Sequence, residues 1–206
     1  MKKESMSLYY IDMKYIRELS KVDDNVMSVS PQINKGSRPF VGLVLMCNSN
    51  QYCIPLSSPK PKHYKMKNDK DFSRIIHRPT GKLIGVLNFN EMIPVDNSLI
   101  QKINIPKLMK GNSKDRAYAE LLKDELSWCQ QNEESISNKA NKLYRIVTET
   151  PQKSRNLTRR CCDFKKLEKA LDKYLQKNLN PSTGKEINLF DEILLDLTGQ
   201  DRHNKL

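Results

Sequence analysis

The hydrophobic pattern of this 206-residue chain changes period near its middle. Before Pro106, apolar residues come in short runs bounded by turn formers, as in strands; after it they recur every three or four positions, as in amphipathic helices. Phe40-Val41-Gly42-Leu43-Val44-Leu45-Met46 is an apolar run of buried-strand length and residues 51–56 are a second, with Asn48-Ser49-Asn50 between them as the turn of a β-hairpin. Residues 8–11 form a short strand, and Asp12 caps a small helix that turns Tyr15, Ile16 and Leu19 to one side. The turn Pro79-Thr80-Gly81 introduces another strand at 83–89, and residues 92–95 end the β-rich part. The stretch 60–82, rich in Lys, Pro and His, reads as a long loop.

In the second half, Tyr118, Leu121, Leu122, Glu125 and Leu126 share one helix, which Asn112 or Ser113 can cap. Ile136, Ala140, Leu143, Ile146 and Val147 mark a second helix. Asp163 precedes Phe164, Leu167, Ala170, Leu171, Tyr174 and Leu175, an apolar stripe whose opposite face holds Lys165, Lys166, Lys169 and Lys173. A turn at 180–184 leads to a last amphipathic helix at 187–197, stopped near Gly199. The expected fold is α+β: a compact, strongly bent antiparallel sheet or partial barrel with added helices, mostly in the C-terminal half. One domain is expected over 1–206, with a β-rich core at about 8–95, a helical part at about 112–178 and a C-terminal helical extension at about 185–199.

No window approaches the ~20 continuous apolar residues of a membrane span, and residues 1–7 lack the apolar stretch of a secretory signal, so a cytoplasmic protein without a membrane partner is expected. The five cysteines (Cys47, Cys53, Cys129, Cys161, Cys162) fit reduced cytosolic thiols. None is paired at C-x-x-C spacing, and His63, His77 and His203 are scattered, so no metal or other cofactor is expected. Cys161-Cys162 reads as a helix boundary with buried sulfur.

Charge narrows the function. Of 36 basic and 24 acidic residues, window 60–82 holds eight and two, and window 151–177 holds nine and three, so the two windows carry the whole +12 excess. Such concentration suits a polyanion, because counterion release scales with the cations that reach one strand together. A solvated face accounts for the charge equally well. The first window opens on Ser57-Ser58-Pro59-Lys60-Pro61-Lys62-His63, just past a strand end: two hydroxyls, two amines and an imidazole, with two prolines restricting the backbone. Such a set can hold and neutralise a phosphodiester, and equally can be an ST-turn with solvated lysines.

Three runs together resemble one family: residues 40–45, then Tyr52-Cys53-Ile54-Pro55-Leu56-Ser57-Ser58-Pro59-Lys60, then Leu83-Ile84-Gly85-Val86-Leu87-Asn88-Phe89-Asn90-Glu91-Met92-Ile93-Pro94-Val95. With Tyr15-Ile16-Arg17-Glu18-Leu19 and Asp23-Asp24 upstream, the chain is similar over about residues 8–150 to the ToxN/AbiQ family, endoribonuclease toxins of type III toxin–antitoxin systems, several of which act in phage abortive infection. The resemblance implies a CcdB- and Kid-like sheet core, metal-independent RNA cleavage, and inhibition by a small, pseudoknotted repeat RNA that the toxin itself processes, in RNA-bridged assemblies. The family's catalytic positions fall on Ser57, Ser58, Lys60 and Tyr15. Arg38 stands where the family often has a lysine; permanently protonated, it suits charge stabilisation rather than base catalysis.

Expected RNA contacts are Lys62, His63, Tyr64, Lys65, Lys67, Phe72, Arg74, His77 and Arg78 in the basic stretch and Lys165, Lys166 and Lys169 on the late helix. Tyr64 and Phe72 are candidates to stack on unpaired bases. His63 is open to an acid–base role or to contact with RNA, whereas Tyr9, Tyr10 and Phe89 read as core. The alternative is a non-catalytic RNA-binding or regulatory module on the same fold.

Overall fold

The computed structural model describes residues 6–27, 41–47 and 49–179. Arg38 and the expected C-terminal extension with its helix at 187–197 lie outside them. Strand β1 (Leu8–Ile11) runs directly into α1 (Met13–Ser20). Asp12 makes the switch: its carboxylate accepts from the Tyr15 N–H at 2.9 Å and from that of Lys14, an N-cap that turns Tyr15, Ile16 and Leu19 into the core as their spacing predicts. Strands β2 (Val41–Cys47) and β3 (Asn50–Ser57) form the expected hairpin, in register from Gly42 with Pro55 to Cys47 with Asn50.

The stretch 60–82 is not one long loop. It holds a short helix, α2 (Pro61–Lys65), and a strand, β4 (Phe72–Ile76), which pairs antiparallel with β5 (Leu83–Asn88) through a turn in which Gly81 adopts φ +66°. Two short strands follow, β6 (Ile93–Pro94) and β7 (Ile100–Lys102), so the β-rich part extends past residue 95. The helices are α3 (Ile105–Leu108), α4 (Ser113–Gln131), α5 (Glu133–Glu149), α6 (Arg155–Arg159) and α7 (Phe164–Leu179). Asn112 caps α4 reciprocally with Asp115, and the Asp163 carboxylate caps α7 through the Lys166 N–H at 3.1 Å.

The sheet is open, in order β4-β5-β3-β2-β1-β7, and β3 is its pivot. One edge of β3 follows β2; the other takes β6 at Tyr52 and Cys53 and then β5 at Leu56 and Ser57. Changing partners along one edge carries the β4–β5 hairpin to the C-terminal end of β3. Tyr52, Cys53 and Ile54 are fully buried, on both faces of the strand. Tyr52 meets Tyr144 of α5 and Phe164 of α7 edge-on, each with ring centroids 5.8 Å apart, and so joins two helices to the sheet. All five cysteines are buried free thiols; burial pushes Cys161 up to about 12, and the Cys161-Cys162 pair lies between α6 and α7 as the sequence suggests. No helix among the described residues is long and apolar enough to cross a membrane.

Close packing inside the hairpin makes Gly42 a sensitive position. A Cβ there would strike the Cys53 Sγ and the Ile54 carbonyl across the strand pair. Gly42→Ala is expected to cost about 1–3 kcal/mol, read as a lower urea midpoint at unchanged m-value. An unchanged midpoint would mean that the hairpin opens freely.

Candidate active site

The end of β3 assembles the cluster. Ser57 pairs with Val86 of β5, and its Oγ accepts a hydrogen bond from Asn88 Nδ2 at 3.1 Å, which leaves the hydroxyl proton to donate elsewhere. Ser58 and Lys60 follow, both exposed, where the chain leaves the sheet. Lys60 is the N-cap of α2, and Pro61 occupies the first helical turn, where its fixed φ suits the start of a helix.

His63 lies inside the fold rather than on its surface. It is buried, its ring packs on Phe72 with centroids 5.3 Å apart, and its Nδ1 accepts the backbone N–H of Lys60 at 3.0 Å, while the His63 backbone N–H donates to the Lys60 carbonyl at 2.8 Å. The acceptor at Nδ1 requires the neutral ring with its proton on Nε2. Burial, then the charges of Lys62 and Lys60, hold its pKa below the ordinary histidine value. His63 thus fixes the backbone from which the Lys60 side chain projects. Phe72, expected as a base platform, is buried against this ring and presents little surface to RNA.

The structure brings Ser57, Ser58 and Lys60 together but encloses Tyr15 completely. The Tyr15 hydroxyl donates to the Pro94 carbonyl at 2.7 Å, its ring meets that of Tyr174 at 5.1 Å, and burial drives its pKa far upward, so it holds α1 to β6 and α7 and offers RNA no surface. Two residues join the cluster that local sequence does not reveal. Asn88 orients Ser57. Glu91, half-buried on the 3-10 turn Phe89–Glu91, has its carboxyl pushed upward by burial and pulled back by the charges of Lys60 and Lys62.

Around the cluster, Lys62, Lys65, Lys67, Arg78 and Tyr64 are exposed, Tyr64 to 62%. Arg74 is half-buried and donates from Nη1 to the Tyr64 carbonyl at 3.4 Å. His77 shares a hydrogen bond with Thr80 Oγ1 at 2.8 Å and sits 3.6 Å from Asp124 of α4. On α7, Lys165 donates to Glu168 at 2.9 Å and lies over the Tyr144 ring, and Lys166 donates to the Val22 carbonyl, so both amines anchor the helix; Lys169 is exposed.

A family model described as toxin ToxN of type III toxin–antitoxin systems matches residues 7–172, past the point near 150 where recognisable motifs fade. The chain belongs to the ToxN family. Among ToxN-family relatives, the endoribonuclease ToxN of Bacillus thuringiensis subsp. kurstaki is 29% identical over 183 residues, covering 85% of this chain and 88% of its own. The endoribonuclease AbiQ of Lactococcus lactis subsp. lactis is 29% identical over 180 residues, with 84% and 92% covered. A solved structure of a type III toxin, described as selectively inhibited by a non-coding RNA pseudoknot, superposes with TM-score 0.69 at 29% identity, over 83% of this chain and 98% of that one. The AbiQ structure, at 21% identity and TM-score 0.70, shares the fold over 84% of this chain and 99% of its own.

Proposed function

We propose that the chain is an endoribonuclease toxin of a type III toxin–antitoxin system, acting on cellular or phage RNA and held in check by a folded repeat RNA that it processes. One observation carries the reading: in a ToxN-family chain, the end of β3 sets a hydroxyl oriented by Asn88 beside a lysine whose backbone His63 fixes. Lys60, with Arg38, stabilises the extra negative charge of the pentacovalent phosphorane, and Ser57 and Ser58 donate to its non-bridging oxygens. The 2′-oxygen attacks phosphorus as the bond to the 5′-oxygen breaks, leaving a 2′,3′-cyclic phosphate and a 5′-hydroxyl. Tyr64 offers an exposed ring for an unpaired base beside this centre, and Lys62, Lys65 and Lys67 offer charge along the strand. The pivot of the sheet at β3 supports a CcdB- and Kid-like core within one domain, and RNA-bridged assembly of toxin and antitoxin is part of the same reading.

Incubation with mixed RNA in EDTA tests the reaction: defined fragments with cyclic-phosphate ends are expected. Fully intact RNA would leave the non-catalytic RNA-binding alternative.

The role of His63 separates from acid–base catalysis by substitution. His63→Asn sets an amide oxygen where Nδ1 stands and keeps the acceptor for Lys60, so it is expected to retain most activity, whereas His63→Ala loses about tenfold or more. Because the folded pKa is depressed, the cap is intact above the ordinary histidine range and is lost as pH falls through the lower folded value, which removes activity on the acid side. The asparagine variant should lack that acid limb. Equal loss in both variants would make His63 a proton carrier instead.

A further inference from the structure

The two basic windows meet in space. Arg160, just past α6, donates through Nε and Nη2 to the buried Asp71, with Nη2–Oδ1 at 3.1 Å, and reaches Asp69 Oδ2 at 3.3 Å. Lys139 of α5 adds bonds to the Asp69 carbonyl at 2.9 Å and the Phe72 carbonyl at 3.2 Å. These contacts fasten the turn before β4 to the helical half. Between that turn and the segment running from the 3-10 turn Pro151–Ser154 through α6 lies an open groove of about 580 Å³, lined by Lys70, Lys153, Arg155 and Arg160, with Asp69 and Asn156 among its polar walls. Asp69 is engaged by Arg160. Lys70, Lys153 and Arg155 are exposed and make no ion pair among the described residues, so the turn before β4, the 3-10 turn and α6 each present one such cation to one concavity.

We propose that this groove binds the backbone phosphates of the folded antitoxin RNA, at a place separate from the cleavage cluster; the inference rests on the function proposed above. The chemistry favours a polyanion, since four of the nine lining side chains are cationic, and the ion pairs of Arg160 fix the backbone turn that carries Lys70, so only side chains remain to be ordered on binding. Lys62, Lys65 and Lys67, which follow the cluster in the chain and precede Lys70, are all exposed and add positive charge to the same stretch. A strand needs contacts only around its scissile phosphate to be cut. Cations at the far end of the loop add affinity without chemistry, which is what an inhibitor competing with substrate requires. Lys153 and Arg155, rather than the anchored Lys165 and Lys166, are then the part of the second basic window that meets RNA.

The test uses the full chain with Lys70→Glu, Lys153→Glu and Arg155→Glu together, and two probes. One is the RNA that co-purifies with the Lys60→Ala protein, sequenced and resynthesised; the other is a short single-stranded oligonucleotide that the unaltered protein cuts. Affinity for the folded RNA is expected to fall about tenfold or more, with the slope of log affinity against log salt smaller by about 2 to 3, while the oligonucleotide is cut within about twofold of the original rate. Unchanged affinity and slope overturn the proposal. Equal loss in oligonucleotide cleavage also overturns it and assigns the groove to substrate. An unaltered protein that neither cleaves nor binds RNA defeats the functional reading itself, and the groove proposal with it. Should the triple reversal not fold, Lys153→Gln with Arg155→Gln makes the same comparison, with a slope change of about 1 to 2.

Discussion

Lys60→Ala is expected to lower the RNA cleavage rate by about 10²- to 10³-fold, the usual loss when one preorganised charge or donor is removed from a developing anion. The fold should survive, because the Lys60 side chain is exposed and the N-cap contact to His63 uses its backbone. The melting temperature should therefore stay close to the original while single-turnover cleavage collapses. Lys60→Arg keeps the charge but replaces a compact ammonium by a wide planar fork, so it should recover only part of the rate. Ser58→Ala and Ser57→Ala follow with smaller losses. Wild-type cleavage by Lys60→Ala would show that the centre lies elsewhere.

Some of this site could be read in the chain because its parts are sequence neighbours. Ser57, Ser58 and Lys60 follow one strand end, and the apolar runs flanking the β2–β3 turn are long enough to define that strand. Asn88 and Glu91 are about thirty residues away and reach the cluster only because β5 pairs with the last residues of β3. Nothing in their own neighbourhood announces that pairing. The burial of His63 was hidden for a related reason: an imidazole in a lysine-rich stretch gives no sign of facing inward, yet the turn of α2 rolls it onto Phe72. Tyr15 shows the converse, since the apolar spacing already placed it inward with Ile16 and Leu19, and the structure buries it there.

The helices and the central hairpin were legible because each repeats its period for several turns or residues. Strand β4 was not, because its buried side includes Ser73, Arg74 sits at its middle, and Lys70 and Asp71 precede it, which hides the alternation. Its strand state is imposed by β5 and by Lys139, whose amine bonds the Phe72 carbonyl and, at 2.7 Å, Ser73 Oγ. The lysine face of α7 was legible as charge but not as function, since sequence does not show that Lys165 and Lys166 reach back onto the molecule.

The carboxylate that Lys165 reaches, Glu168, carries the second large effect. Glu168 Oε1 accepts from Asn50 Nδ2 and from the hydroxyls of Tyr52 and Tyr144, each at 2.8 Å, and Oε2 from Lys165 at 2.9 Å. One side chain of α7 therefore satisfies donors from β3, α5 and its own helix. Glu168→Ala strands two tyrosine hydroxyls in or beside the core and is expected to cost about 3 kcal/mol, on the order of 10 °C for a chain of this size. Burial alone would push the Glu168 carboxyl upward, but the hydrogen bonds from Lys165, Tyr144, Tyr52 and Asn50 outweigh it and hold the pKa below the ordinary glutamate value. The stabilisation is therefore complete above the unfolded carboxylate range and is lost as pH falls through the lower folded value. Glu168→Gln keeps an acceptor for the tyrosines but turns an amide toward Lys165, so it should melt between the alanine variant and the original at neutral pH, with a flatter acid limb. Scanning calorimetry from pH 3 to 7 reads all three, and an alanine variant that melts with the original would remove Glu168 as the clamp between α7 and the sheet.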